Sequence, residues 1–458
     1  SGGSSTGRRI MSTQRTLDVG PEAAGSLDAY WMPFTANRWF RDHPKLITGA
    51  RGVRYTTSDG RELLDSAAGL WCSNAGHCHP HIVEAVQRQA ASFDYAMSFQ
   101  LGHPEAFRLA ERLAALAPDD LDRVFFTNSG SEAADTALKI ALAWQRQRGE
   151  GGRTRLVGRE RGYHGAGFGG ISVGGLGNNR KAWPSALLAG VDHLPHTHDP
   201  ARMAFSRGQP EWGAQLADDL ERLVALHGPG TIAAVIVEPA AGSGGVIVPP
   251  VGYLQRLREL CTEHGILLIF DEVITGFGRV GHGFGAERFG VTPDIICCAK
   301  GLTSAMVPMG AVIVREEIFE AFMTGPAHAV ELFHGYTYSG HPLATAAAHA
   351  ALDVYETEDL FAQARDLEAQ FEARIHGLKQ RAPITDIRNI GLMGGIDLEP
   401  DPDAPGARGM MVFERAFERG LVVRTSGDTI ALSPPLVITP RELDELFDLL
   451  GEALDGID

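Results

Sequence analysis

The stretch ILLIFDEVITGFGRVGHGFGAERFGVTPDIICCAK (266–300) decides the fold. It opens with an unbroken apolar run ending in Asp271, passes through a glycine-rich loop, and closes on a second apolar run ending in Lys300. Runs apolar on both faces, a few residues long and bounded by glycine and proline, are the pattern of parallel strands covered by helices. An acid and an amine thus stand at the carboxyl ends of two neighbouring strands, the edge where open α/β sheets bind their ligands.

The pattern repeats outward from this stretch. Towards the N-terminus, IAAVIVEP (232–239) is another buried strand, ending in Glu238, and the helix YLQRLRELCTEHG links it to the next. VFFT (124–127) leads into the helix SEAADTALKIALAWQRQR, and RLVGRE precedes a glycine-rich turn. This alternation predicts an α/β domain over 76–340 built on a mostly parallel sheet. After His341 the pattern changes to a long helix, short strands (DIRNIGLMGGIDL, LVVRTS, TIALSPPL) and a last helix from Pro440, which predicts a smaller α+β domain over 341–458. VRYTTSDGRELLDS reads as a hairpin turning at Asp59-Gly60, and the segment 12–75 is expected to join the smaller domain. SGGSSTGRRI reads as a flexible leader or tag remnant (1–11 with Met11, a natural start).

Composition sets the bounds. At 458 residues the chain exceeds one ordinary core. A formal net charge of −16 argues against a nucleic-acid groove or an anionic membrane surface as its main partner. Five cysteines, two of them adjacent at Cys297 and Cys298, make no disulfide framework and fit a reducing, cytoplasmic setting. No apolar run approaches the length of a membrane span.

Glu238, Asp271 and Lys300 fall at successive strand ends, roughly one βαβ unit apart. Each alone reads equally as an ion-pair partner or a helix cap; together at one sheet edge they read as a site. TNSGSEAADTAL (127–138) places Gly130 and Ser131 at a helix entrance, where free N–H groups and the helix dipole, ~0.3–1 kcal/mol, favour an anion such as phosphate. Capping of the helix explains the same residues. GYHGAGFGG (162–170) has dinucleotide-like glycine spacing, but the glycine-rich ISVGGLGNNRK after it predicts no helix. Tyr163, beside His164, suits a ring-stacking platform better. GHCHPH (76–81) and DHLPHTHD (192–199) lack the spacing of a known zinc site, so no metal is expected. Arg424 in LVVRTS would bind a carboxylate with both arms of its fork if it faced the interdomain cleft.

Taken together, these residues resemble the class III pyridoxal-phosphate aminotransferases of fold type I, from about residue 25 to the C-terminus. LLIFDEVITGFGRVG through PDIICCAKGL carries the family signature. WMPFTANR (31–38), DYAMSFQLGHP (94–104), VDHLPHT (191–197), IAAVIVEPAAGSGGV (232–246), HGYTYSGHP (334–342) and VRTSGDT (423–429) are most similar to the β-alanine (ω-amino acid)–pyruvate transaminases. The resemblance implies a seven-stranded large-domain sheet and pyridoxal 5′-phosphate as cofactor. It makes Lys300 the Schiff-base lysine and proton shuttle, and Asp271 the partner of the pyridine nitrogen. Gly130 and Ser131 would cradle the phosphate, joined by Thr337 of a second subunit, so that two copies share their sites in a homodimer or a tetramer. Tyr163 and Val273 would pack the two ring faces, with His164 and Glu238 close to the ring. Arg424 would bind substrate carboxylate, with Trp71, Phe99, Tyr95 and Trp31 lining the pocket. The nearer alternative is a class III enzyme using 4-aminobutyrate, diamines or acetylornithine with 2-oxoglutarate. One departure stands out: relatives usually have glycine where this chain has Ala305, which would strain the loop if that position has a positive φ.

Overall fold

The computed structural model describes residues 26–457; the leader expected over 1–11 lies outside the described residues. The expected hairpin is present as β2 (Arg54–Thr57) and β3 (Glu62–Asp65), which follow β1 (Ile47–Arg51) in one antiparallel ribbon. Gly60 makes its turn at φ +81°, a conformation open to glycine without steric cost.

Seven strands form the large sheet: β4 (Leu121–Thr127), β5 (Arg155–Arg159), β6 (Val191–Leu194), β7 (Ile232–Val237), β8 (Leu267–Asp271), β9 (Ile295–Cys298) and β10 (Gly310–Arg315). Their order is β4-β10-β9-β8-β7-β5-β6, and β10 alone runs against the others. Every residue of β7, β8 and β9 is buried, because helices cover both faces. The entry to β8 is a clean helix end: the helix Tyr253–His264 stops at Gly265 with φ +66°, one residue before the apolar run that forms the strand.

The remaining strands are β11 (Ile384–Ile390), β12 (Met393–Leu398), β13 (Leu421–Val422), β14 (Arg424–Ser426) and β15 (Thr429–Leu432). LVVRTS, read from sequence as one strand, serves two sheets. Leu421 and Val422 pair in parallel with β3, while Arg424–Ser426 pair with β15 in the sheet β11-β12-β15-β14. Buried Val423 marks the switch. A second difference concerns the glycine-rich turn after β5. It does open a helix, Phe168–Val173, but one of only six residues. Its glycines serve close packing: a Cβ on Gly165 would lie 2.5 Å from Ser131 Cα, and one on Gly170 would meet the His164 carbonyl at 2.1 Å.

Arg279, fully buried, fastens the parts together. Its guanidinium donates to the carbonyls of Leu392 (3.0 Å) and Pro434 (2.6 Å) and to Asn74 Oδ1 (3.1 Å). Among the described residues, no helix is long and apolar enough to cross a membrane.

Ala305 does stand in the left-handed region, at φ +61°, within a turn where Lys300 (+49°) and Ser304 (+48°) share that conformation. The turn closes through the Ala305 amide on the Lys300 carbonyl, 3.3 Å, and the alanine side chain faces solvent. The misfit is therefore torsional and not a clash. Ala305→Gly is expected to stabilise the protein by about 0.5–1 kcal/mol, the left-handed cost of alanine less the greater freedom of unfolded glycine. A higher thermal midpoint with unchanged activity is the expected result.

Candidate active site

The carboxyl ends of β7, β8 and β9 open into a cavity of about 570 Å³. Gly130, Ser131, Tyr163, Glu238, Asp271, Val273, Lys300, Trp71 and Arg424 all line it, nine residues brought together from across 350 positions of sequence. Phe34, Leu70, Asn178, Asn179, Ser243 and Thr429 also line it and were not singled out from sequence. Phe34 and Ser243 sit in turns, Leu70, Asn178 and Asn179 in helices of four and five residues, and Thr429 at the start of β15, all too short for a periodic pattern to distinguish them.

Lys300 stands two residues past the end of β9, and among the described residues no hydrogen bond or ion pair reaches its amine. Desolvation lowers its pKa from the usual lysine value, with Cys72, Asp271 and Glu238 opposing that shift from a distance. An amine so treated is a better nucleophile and base near neutrality. Asp271 ends β8. One carboxylate oxygen lies 2.8 Å from His164 Nδ1, and the other accepts the Val273 amide at 3.1 Å. His164 is buried behind the cavity, and its Nε2 has no partner among the described residues. Glu238 accepts the amides of Tyr163 (2.8 Å) and Gly242 (3.1 Å), so it staples two cavity loops to the end of β7. Burial raises its pKa against the opposing pull of His164.

At the other end of the cavity the helix Gly130–Gln147 begins. Ser129 Oγ caps it by accepting the Glu132 amide at 3.1 Å, which leaves the amides of Gly130 and Ser131 without a protein acceptor. Ser131 Oγ accepts the Ala166 amide at 3.0 Å and so ties this helix start to the Tyr163 loop. A Cβ on Gly130 would sit 2.9 Å from both Val273 methyls, so only glycine lets the helix start approach that side chain. Pyridoxal phosphate fits this set: open amides at a helix N-terminus for a phosphate, a slot between Tyr163 and Val273 for a ring, Asp271 for a ring nitrogen and Lys300 for a carbonyl carbon.

Arg424 lies on β14 at the cavity, and its one hydrogen bond among the described residues is to the Thr425 carbonyl, 3.1 Å. No carboxylate of the described residues pairs with it. Its strand is braced from below. Arg388 donates to Asp397 (2.7 and 3.0 Å), Asp386 (2.8 Å) and the carbonyls of Gly245 and Val246, and Asp397 also accepts the Thr429 hydroxyl at 2.7 Å. One arginine thereby joins the cavity loop Gly242–Val246 to the sheet that carries Arg424. His198 of DHLPHTHD, with Asp386 and Asp397, forms a trio whose ligating atoms lie within 4.8 Å of one another. Arg388 already supplies the positive charge there. The histidines of GHCHPH are dispersed into separate pairs: His77 with Asp65, His79 with Glu358, His81 with Asp353.

Besides His164, four of the expected residues do not line this chain's own cavity. Trp31 is 89% exposed, and Phe99, Tyr95 and Thr337 are exposed together on one face. The segments that carry the last three pack on each other: Tyr95 donates to the Thr337 carbonyl at 2.9 Å, and Phe99 lies against Gly335.

A fold-type-I sheet with an amine, a buried acid and an open phosphate cradle at its carboxyl edge defines a pyridoxal-phosphate enzyme. The chain belongs to the class III aminotransferases: that family's profile matches residues 35–454. It is 59% identical to an omega-aminotransferase of Caulobacter vibrioides, over 95% of this chain and 99% of that protein. It is 50% identical to a beta-alanine–pyruvate aminotransferase of Pseudomonas aeruginosa, over 96% and 99%. Among solved structures it resembles a PLP-bound amine transaminase from an uncultivated Pseudomonas species, with a TM-score of 0.87, 38% identity and coverage of 94% and 99%. It is a PLP-dependent aminotransferase.

Glu272, next to Asp271, is fully buried. Its Oε1 accepts from the Thr275 hydroxyl (3.0 Å) and the Ala286 amide (3.1 Å), while Oε2 has no partner among the described residues. Burial pushes its pKa from 4.5 up to about 8. The folded protein therefore holds a proton that the unfolded chain releases, and stability on this account falls as pH rises from 4.5 to about 8. Glu272→Gln keeps the accepting oxygen and removes the titration. The gap between its thermal midpoint and that of the wild type should widen in the variant's favour across this range, then level off.

Proposed function

We propose that the protein moves the amino group of an ω-amino acid of the β-alanine type, or of a simple amine, to pyruvate. The products are alanine and an aldehyde or ketone, malonate semialdehyde when β-alanine is the donor. Arg424 carries this reading: a guanidinium at the cavity with no carboxylate among the described residues to neutralise it, beside apolar Leu70, Trp71 and Phe34. It offers a bidentate site to the carboxylate of donor and acceptor in turn, as a ping-pong cycle requires, while the apolar wall suits donors without one. The two relatives above, one named for omega-amino groups and one for β-alanine and pyruvate, support the same choice.

The residues divide the work as follows. The Gly130 and Ser131 amides hold the phosphate, Tyr163 and Val273 confine the ring, and Asp271, oriented by His164, keeps the ring nitrogen protonated. When bound, the cofactor supplies an electron sink for the pair left at the amine-bearing carbon of the donor. Lys300 Nζ takes the proton from that carbon, and in the second half-reaction delivers one to the former carbonyl carbon of the acceptor. Glu238 keeps the cavity loops closed around these atoms.

A homodimer belongs to this proposal. Thr337, Tyr95 and Phe99 face outward from their own cavity, so they would complete the site of a second copy. The five cysteines, all unbridged, fit a reducing cytoplasm.

Purified protein supplied with the cofactor is expected to absorb near about 400–430 nm through Lys300 and to lose a borohydride-trappable adduct in Lys300→Ala. Initial rates should be higher with pyruvate than with 2-oxoglutarate; the reverse would refute the acceptor assignment. Arg424→Ala should lower kcat/KM for β-alanine by about 10²-fold or more, the loss of a charged bidentate contact, and largely spare 1-phenylethylamine.

A further inference from the structure

The wall formed by Leu70 and Trp71 follows an unfavourable path. Ala68 (φ +46°), Gly69 (+66°) and Trp71 (+61°) all have left-handed backbone, and two of these three carry a Cβ. Leu70 between them is also non-helical, at φ −130° and ψ 64°. Residues in sparsely populated backbone regions persist only where their surroundings over-determine them. Here the carbonyls of the turn are taken up by the amides of Trp71, Cys72 and Ser73 and by the Ser433 hydroxyl, while two of its amides depend on one carboxylate. Asp65, fully buried at the end of β3, accepts the Ala67 amide on Oδ1 (2.9 Å) and the Gly69 amide on Oδ2 (2.7 Å). Oδ2 also lies 2.7 Å from His77 Nε2, and the His77 ring packs on Tyr55 with centroids 4.5 Å apart. The space around the turn is closed: a Cβ on Gly69 would meet Ser73 Oγ at 3.2 Å and Tyr55 Oη at 3.5 Å. Asp65 is in addition the register partner of Val422 on β13, two residues before Arg424. One buried side chain thus fixes both amides at the start of the apolar wall while its own backbone abuts the strand leading to the carboxylate site.

We propose that Asp65, held by His77, is a positioning residue that keeps the turn Ala68–Trp71 in its strained path and so sets which uncarboxylated amines the cavity accepts. Asp65 touches no substrate. It acts through the turn, and its effect falls on donors that depend on the apolar wall, not on those anchored by Arg424. This rests on the donor reading proposed above.

The test compares holoenzymes with pyruvate as acceptor and two donors, β-alanine and 1-phenylethylamine. Asp65→Asn puts an amide N–H₂ where the Gly69 amide or His77 needs an acceptor. KM for 1-phenylethylamine should rise ~10-fold, with kcat and both constants for β-alanine within about 3-fold of the wild type. The cofactor absorbance should not change. Adding Ala68→Gly, which removes one of the strained non-glycine positions, should bring the phenylethylamine KM back to within about 3-fold of the wild type. Equal losses for both donors, no change for either, or no rescue by Ala68→Gly would overturn the proposal. Should Asp65→Asn fail to fold, His77→Gln, which leaves both amide contacts of Asp65 in place, must show the same split at smaller amplitude; parity between donors overturns the proposal. A wild type inactive with both donors would instead refute the proposed function, whereas an active wild type without the split in the variants refutes this inference alone.

Discussion

The arrangement depends on keeping an amine and several carboxyl groups out of water at one edge of a sheet. Lys300 has no counter-ion within reach among the described residues, so the cost of desolvating it appears as a lowered pKa. The acids are treated differently from one another. Asp271 has His164 behind it, Glu238 has two backbone amides, and Glu272, with an unsatisfied oxygen, is pushed towards the neutral form. Neighbouring buried carboxyl groups cannot all ionise cheaply. Taking the charge off Glu272, the neighbour of Asp271, is the solution found here.

Dry chemistry of this kind needs walls that do not shift, and the walls come from distant parts of the chain. The loop after β7 is fixed to the third sheet through Arg388, whose hydrogen bonds and charge, with those of His198, hold Asp397 well below the usual carboxylate range although burial opposes its ionisation. Arg279 ties the glycine-rich loop after β8 to Asn74 and to the turn at Leu392. Both arginines act by filling carbonyl acceptors that loops leave open, which a hydrophobic contact could not do. The glycines of GYHGAGFGG contribute by absence of side chain, letting the Tyr163 loop lie directly on the helix that starts at Gly130.

Much of this was legible in the sequence because it is written in local pattern. The doubly apolar runs of β7, β8 and β9 declare buried strands, and a polar residue at the end of each declares the edge. Legibility ends where geometry depends on residues far apart. LVVRTS gives no sign that Val423 hands the chain from one sheet to another, since period-two alternation is the same in both. DHLPHTHD does not show that His198 will meet Asp386 and Asp397, because that meeting is made by the third sheet. Phe99, Tyr95 and Thr337 look like pocket residues by resemblance, yet they face outward in the single chain; a sequence does not say which copy of itself a side chain will serve. Ala305 shows a further limit: the positive φ is real, and the turn keeps its form because the methyl points to solvent.

The pairing of β3 with β13 sets an order of events during synthesis. Leu64 and Asp65 leave the ribosome early, but their partners Leu421 and Val422 emerge only after more than three-quarters of the chain has been made. The strands ending in Asp271 and Lys300 are out well before then, so the cofactor cradle has all its strands while the substrate wall still lacks its support. Domains generally fold as units, N-terminal parts first. In this topology the first part of the chain to appear is among the last to be locked. A nascent or C-terminally shortened chain that stops before Leu421 therefore leaves β3, and the turn that follows it, without the strand that pairs with them.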